Sequence, residues 1–187
     1  IKKMKAKSSL LLVTSEFPPE PGGIGNHAFN LAKYLDKNNF KISVVTDQRL
    51  IDDKKEGFFD KNLSFTVIRI KLKSVRFLMY FNRFFKTMKY VYRNQIIVAS
   101  GKFSLWIVAL ISLFLKRKYI AIIHGTEVNF KNKLTKKSID FSLTRFDKII
   151  AVSNFTKSLV NDLNLTNIEV ICNGFEINNN DIPAVTK

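Results

Sequence analysis

Cysteine is almost missing from this sequence, since Cys172 is the only one in 187 residues. An intramolecular disulfide needs two cysteines, so a disulfide framework within the chain is excluded. This is compatible with a reducing cytosol, although many exported proteins also lack disulfides. A lone cysteine most often behaves as a small apolar residue, and we expect Cys172 to be buried.

Long apolar runs are missing as well. The run from Leu10 to Val13 is too short for a signal peptide. The one segment that could suggest a membrane span, residues 103–115, reads FSLWIVALISLFL and is followed by three basic residues. A helix needs roughly 20 apolar residues to cross a bilayer, so we expect a fully buried helix there instead.

Acidic residues are scarce relative to basic ones, with 15 Asp and Glu against 31 Lys and Arg and a formal net charge of +16. Such a balance predicts attraction to polyanions. Nucleic acid, anionic lipid and phosphorylated glycans all qualify, and the charge does not choose among them.

Short β-rich apolar runs alternate with helical patterns along most of the chain. Continuous hydrophobic strands in that order are typical of a parallel sheet covered on both faces, and we predict a doubly wound, Rossmann-like α/β fold. The predicted strands are residues 10–14, 42–46, 65–70, 96–99, 119–123, 148–152 and 168–171; the predicted helices are residues 24–36, 75–93, 103–115, 134–144 and 154–163.

The length suits one compact domain and is short for two. From Asn173 onward the sequence NGFEINNNDIPAVTK loses periodicity and gathers Asn, Gly and Pro, as linkers do. We predict one domain over residues 1–175 and the start of an interdomain linker over residues 176–187. A further domain is expected beyond it.

A proline-glycine loop, SEFPPEPGGIGN, joins the first strand to the first helix. Gly22 and Gly23 permit positive φ and leave no Cβ in the way of a ligand that approaches the helix N-terminus. Free N–H groups and the helix dipole favour an anion there, so we expect a phosphate or carboxylate site, although a tight turn would also explain the glycines. The loop does not satisfy GxGxxG, and a GxxxxGK[ST] motif is absent from the sequence.

Four ordered motifs resemble glycosyltransferase family 4. The first is LLLVTSEFPPEPGGIGNHAFNLAKYLDKNNFKISVVT, in which Pro-Pro and Gly-Gly lead into a Leu-Ala-x-x-Leu helix. The others are IIHGTE at residues 122–127, IIAVSN at 149–154 and VICNGFE at 170–176, so the resemblance spans nearly the whole chain.

The resemblance implies the amino-terminal, acceptor-side half of a GT-B fold, in a retaining enzyme that uses a nucleotide-sugar donor and no metal. The family's other half holds most of the donor, so this half alone is expected to be inactive. The implied donor-binding residues are Gly22, Gly23, Gly25 and Asn26. The implied catalytic residues are His124, which lines the transfer site, and Glu127, which contacts the acceptor or orients His124.

Other positions match the family less directly. Ser153 or Asn154 is expected to cap the following helix, and Thr135 precedes another helical run. Where the family often places a His-x-His pattern after its fourth strand, this chain has Ala99, Ser100 and Gly101, which puts an acceptor role of that loop in doubt.

The segment from Val75 to Arg93 combines cations with many phenylalanines. On a helix, one side carries Arg76, Arg83, Lys86, Lys89 or Tyr90, and Arg93, which predicts a basic amphipathic face. Because acceptors in this family are often cell-surface polysaccharide or lipopolysaccharide precursors, we expect a cytoplasmic protein that contacts the inner face of the membrane peripherally. A packed helix with solvated cations is the alternative.

Two other classes of protein remain open at this point. The charge and the 17 phenylalanines suit a nucleic-acid-binding module, but the cations are scattered and zinc-finger, helix-turn-helix and RRM signatures are absent. A NAD-type dinucleotide-binding half-domain would share the predicted fold.

Overall fold

A computed structural model describes residues 8–20, 22–50, 53–71, 76–130 and 132–174, without the side chains of Asp53 and Arg76. Every structural statement below concerns that part of the chain. The predicted linker at residues 176–187 lies outside it, as does Val75.

Seven strands form one sheet in which every pairing is parallel. Their spatial order is β3-β2-β1-β4-β5-β6-β7, which confirms the predicted doubly wound fold. The strands are β1 Ser9–Thr14, β2 Lys41–Asp47, β3 Thr66–Ile70, β4 Ile96–Ser100, β5 Lys118–Ile123, β6 Lys148–Ala151 and β7 Ile168–Val170.

Helices cover both faces of the sheet. They are α1 Gly23–Lys37, α2 Asp53–Lys61, α3 Arg76–Arg93, α4 Lys102–Ser112, α5 Lys133–Leu143 and α6 Asn154–Ser158, with a short 3-10 helix at Asn161–Leu163. Successive side chains of a strand point to opposite faces, so Leu10 and Leu12 join a core cluster with α1, and Leu11 and Val13 join a second one with α4 and α5.

The direction of winding reverses between β1 and β4, which are hydrogen-bonded neighbours at the centre of the sheet. The chain leaves β1 through α1 toward β2, and it leaves β4 through α4 toward β5. The loops after these two strands therefore diverge, and a crevice forms where ligands of doubly wound folds bind.

The helix α2 is absent from the prediction. Its sequence, DKKEGFFDK, is mostly charged, contains a glycine and offers only two adjacent phenylalanines, so it has no apolar repeat at helical spacing. Tertiary contacts of Glu56 and Phe59 stabilise it: Glu56 is buried, and Phe59 packs against Phe17.

The predicted caps are partly confirmed. Ser153 caps α6, because its hydroxyl accepts the N–H of Thr156 at 3.0 Å. Before α5 the cap is Asn132 rather than Thr135: the side-chain oxygen of Asn132 accepts the N–H of Thr135 at 3.0 Å.

Two predictions of burial are wrong. The segment predicted as a fully buried helix forms α4, and Leu110, Leu113 and Phe114 at its end are about half exposed or more. Cys172 is exposed because it follows the edge strand β7, where nothing described covers it. In the described ranges, none of the helices combines the length and apolar character that crossing a bilayer requires.

The predicted basic face of α3 is wrong at Arg83. That side chain points toward the sheet, is 5% exposed and forms a bidentate ion pair with Asp47 at the end of β2. The outer face of α3 is instead largely aromatic: Phe77, Phe81 and Phe85 are 73%, 54% and 45% exposed. A cation faces inward here because a buried carboxylate partner offsets its desolvation.

Candidate active site

The glycine loop reaches the crevice at the N-terminus of α1. Gly22 is the N-cap residue with φ 173°, an extended conformation open to any residue, and Gly23 is the first helical residue. The predicted use of positive φ at these glycines is therefore wrong. Positive φ occurs instead at Gly101 and Gly125, after β4 and β5.

Two glycines of the loop lie where a side chain would contact neighbouring atoms, and a third does not. A Cβ at Gly22 would lie 2.2 Å from Oε2 of Glu16, and one at Gly25 would lie 3.3 Å from the backbone of Glu16 and Phe17. A Cβ at Gly23 would meet nothing within 4 Å. Gly25 thus permits close packing of α1 on the loop, whereas Gly23 faces open space.

The first turn of α1, where amide groups point out of the helix N-terminus, contains no acidic residue. The N–H of Asn26 donates to the carbonyl of Gly22 at 2.9 Å, so Asn26 has only its side chain to offer a ligand. The N–H groups of Gly23, Ile24 and Gly25 precede the first intrahelical bond, as is usual at a helix start. They form the part of the loop best suited to an anion.

Arg69 on β3 holds the proline segment of the loop. Its Nη2 donates to the carbonyl of Pro18 at 2.5 Å, its Nη1 to Glu56 at 2.9 Å and its Nε to Asp60 at 2.8 Å. Glu56 also accepts the backbone N–H of Arg49 at 2.9 Å. The loop therefore rests on α2 and β3, through residues that the sequence analysis missed.

His124 lies directly after β5, at the edge of the same crevice. Its Nε2 is 3.0 Å from the hydroxyl of Ser100, which ends β4. Ser100 comes from the loop whose acceptor role was in doubt, and it orients the imidazole. Burial lowers the pKa of His124, so the ring is favoured in its neutral form.

Glu127 is 2% exposed and bonds to the backbone of its own turn. Its Oε1 accepts the N–H of His124 at 2.6 Å, and its Oε2 accepts the hydroxyl of Thr126 at 3.3 Å. Burial raises the pKa of this carboxyl, and the hydrogen bonds from the loop oppose that rise. The geometry lets Glu127 shape the turn that carries His124, and its catalytic role stays a prediction.

His27 is a site residue that the sequence analysis missed. On α1 it lies one turn after Gly23, on the same side of the helix, and its ring centroid is 4.9 Å from that of His124. Burial, and then the positive charge of a protonated His124, lower its pKa to about 4. The spacing of four residues from the open glycine is the signal that could have found it.

Open cavities surround these residues. One of about 470 Å³ is lined by Gly23, Asn26, His27 and Asn173, and another of about 480 Å³ by Gly22, Gly23, His124 and Asn173. A third cavity, of about 420 Å³, is lined by Glu127 and Thr126 and lies toward β2. The structure thus gathers Gly22, Gly23, Asn26 and His124 around one groove, while Gly25 packs behind it.

In the described ranges, no group of three or more His, Cys, Asp or Glu residues is arranged to hold a metal ion. The prediction that transfer needs no metal stays a prediction.

Solved structures share this fold at low sequence identity. HepE from Anabaena in complex with UDP and glucose has a TM-score of 0.68 and 17% identity, over 90% of this chain and 45% of that one. Sucrose-phosphate synthase from Thermosynechococcus elongatus has a TM-score of 0.68 and 14% identity, over 89% of this chain and 48% of that one. MurG from Acinetobacter baumannii has a TM-score of 0.62 and 12% identity, over 93% of this chain and 47% of that one. The chain spans slightly less than half the length of these proteins and has the fold of one half of GT-B.

No curated protein matches the chain significantly in sequence. A family model described as Glycosyltransferase Family 4 matches residues 21–179, which include the glycines of the loop, His27, His124 and Glu127. The chain therefore belongs to glycosyltransferase family 4.

Proposed function

We propose that the chain is the acceptor-side half of a retaining glycosyltransferase that transfers a sugar from a nucleotide-activated donor. The observation that carries this proposal is the shared groove of Gly23 and His124, in which a helix N-terminus with an open Cβ position faces an imidazole. A diphosphate suits the amide groups, and a neutral imidazole suits sugar hydroxyls.

In the proposed reaction the acceptor hydroxyl attacks the anomeric carbon from the face that the diphosphate leaves. The bond between that carbon and the phosphate oxygen breaks, and the leaving diphosphate takes the electron pair. The acceptor oxygen forms the new bond, and its proton passes to the diphosphate. A separate protein base is not needed, so the amide groups at the N-terminus of α1, including that of Gly23, act by stabilising the developing negative charge.

The donor proposal is tested in the full-length protein by screening nucleotide sugars for hydrolysis and transfer. We expect Gly23→Ala to weaken donor binding by about tenfold, because its Cβ enters the groove. Gly57→Ala is the matched control, since a Cβ at Gly57 also meets nothing within 4 Å but lies on α2. His124→Ala should lower the transfer rate. Full turnover in both site variants would refute the proposed site.

The proposed acceptor is a glycan or lipid-linked precursor of a cell-surface polysaccharide or lipopolysaccharide, met at the inner face of the membrane. The outer face of α3 supports this: Phe77, Phe81 and Phe85 lie one turn apart, with neighbouring ring centroids 6.1 and 4.4 Å apart. Lys89 and Arg93 are exposed on the same helix. Aromatic rings beside cations suit the interface of an anionic bilayer.

Co-sedimentation with vesicles tests the membrane contact. We expect binding to require anionic lipid and to fall with Phe81→Ser. Phe141→Ser is the matched control, because Phe141 is 64% exposed but belongs to a different helix, α5. Binding that ignores anionic lipid content, or that falls equally in both variants, would contradict the proposal.

A further inference from the structure

A small cavity lies between α3 and the sheet, at the carboxyl ends of β1 and β2. Its volume is about 20 Å³, and its apolar wall includes Val13, Val45 and Ile107. Ser15, Asp47 and Phe103 border both this cavity and the open cleft of about 420 Å³. The cavity is therefore one side-chain layer below the floor of the candidate site.

Arg83 brings an unused hydrogen-bond donor to this cavity. Its Nε donates to Asp47 at 2.7 Å and its Nη2 bonds to the other carboxylate oxygen, which leaves Nη1 on the far side of the guanidinium. Nη1 is buried and bonds to none of the described residues. The guanidinium carbon lies 5.0 Å from the ring centroid of Phe103, but an aromatic ring does not replace the hydrogen bond that Nη1 loses with water. A buried N–H group without a hydrogen-bond partner is costly.

Thr87 adds a second unused group one helical turn further along α3. Its side chain is 1% exposed, and its hydroxyl has no hydrogen-bond partner among the described residues. Both residues line the same cavity. Thr46, which also lines the cavity, has a third buried hydroxyl without a partner among the described residues. Buried polar groups without protein partners beside one space point to a further molecule that bonds to them.

We propose that this cavity is a binding site for one buried water molecule, which accepts from Nη1 of Arg83 and bonds to the hydroxyl of Thr87. A cavity of this size holds a single water, and a buried water typically makes about three hydrogen bonds. Asp47, Ser15 and Ser104 border the cavity and can supply the third. The water completes the bonding of Arg83 and so fixes α3 against the cleft.

Replacement of Thr87 by the isosteric valine distinguishes a hydrated cavity from a dry one. With a water bound, Thr87→Val removes one of its partners, and Tm should fall by about 3 °C or more. In a dry cavity the same change removes a buried hydroxyl that bonds to nothing, so Tm should stay or rise. Thr66→Val is the matched control, because Thr66 is exposed on the edge strand β3 and its replacement should change Tm little.

A high-resolution crystal structure of the protein provides an independent measurement. We expect one density peak at hydrogen-bond distance, about 2.7–3.2 Å, from Nη1 of Arg83 and Oγ1 of Thr87. The peak should give no anomalous signal in crystals grown with bromide. A bromide signal would identify a halide site, and an empty cavity together with an unchanged or raised Tm of Thr87→Val would show a dry one; either result overturns the proposal.

Discussion

The imidazole rings of His27 and His124 meet edge to face, with centroids 4.9 Å apart and planes 80° apart. One ring belongs to α1 and the other follows β5, so the contact joins the two sides of the groove. Two protonated rings at that distance would repel each other in a poorly solvated place. Both histidines are therefore favoured in their neutral forms.

This contact predicts a dependence of stability on pH that His27→Asn should reduce. The pKa of His27 is lowered from 6.5 to about 4 in the fold, so the unfolded chain binds a proton first as pH falls. The stability that depends on a neutral His27 is fully present above pH 6.5 and is lost as the pH falls from 6.5 to 4. Urea unfolding across that range should show the wild type losing stability relative to His27→Asn. His124, whose pKa is lowered, adds a loss of the same sign, and Glu127, whose pKa is raised, has the opposite effect, but both residues are present in both proteins. Parallel pH profiles would contradict the prediction.

Gly101→Ala should destabilise the fold by roughly 1–3 kcal/mol. Gly101 has φ +88°, which disfavours any Cβ, and that Cβ would lie 2.5 Å from the hydroxyl oxygen of Ser15. Gly57→Ala, in the interior of α2, should instead stabilise by roughly 0.5–1 kcal/mol. Denaturant unfolding measures both. Adding Ser15→Ala to Gly101→Ala should recover only part of the loss, because the backbone strain persists; full recovery would assign the loss to the clash alone.

Arg69→Lys should destabilise the protein by about 2–4 kcal/mol although it conserves the charge. A lysine ammonium cannot reach Pro18, Glu56 and Asp60 in the fork geometry of the guanidinium, and the buried Glu56 would lose its charged partner. Arg145→Lys, at an exposed position on the surface, is the control and should change stability by less than about 0.5 kcal/mol. Equal effects of the two changes would show that Arg69 acts only as a charge.

Glu127→Gln and Glu127→Ala separate the structural use of this side chain from its charge. The glutamine amide oxygen can still accept the N–H of His124, so Glu127→Gln should cost little stability. Glu127→Ala leaves that buried N–H unpaired and should cost about 1–3 kcal/mol. Thermal unfolding compares the two. A loss in Glu127→Gln as large as in Glu127→Ala would mean that the negative charge itself holds the turn.

Local sequence determined much of the fold. Short runs such as LLLV and IAII lack polar residues, so they form buried parallel strands, and the helical repeats between them provide the crossovers. All seven strands were predicted. The glycine loop was found because glycines leave a local signal, whereas α2 leaves none. His124 and Glu127 were predicted from the resemblance to the family.

Contacts between distant residues were decided only by the tertiary structure. The pairing of His27 with His124, the bond of Ser100 to that imidazole, the ties of Arg69 and the inward turn of Arg83 join elements far apart in the chain. Periodicity shows which side chains share a face of a helix, but it does not show which residues of other elements contact that face. The helical pattern of α3 predicts a surface position for Arg83, but Asp47 on β2 lies beside it and the side chain is buried. Burial of a charge depends on a partner that the local sequence does not contain.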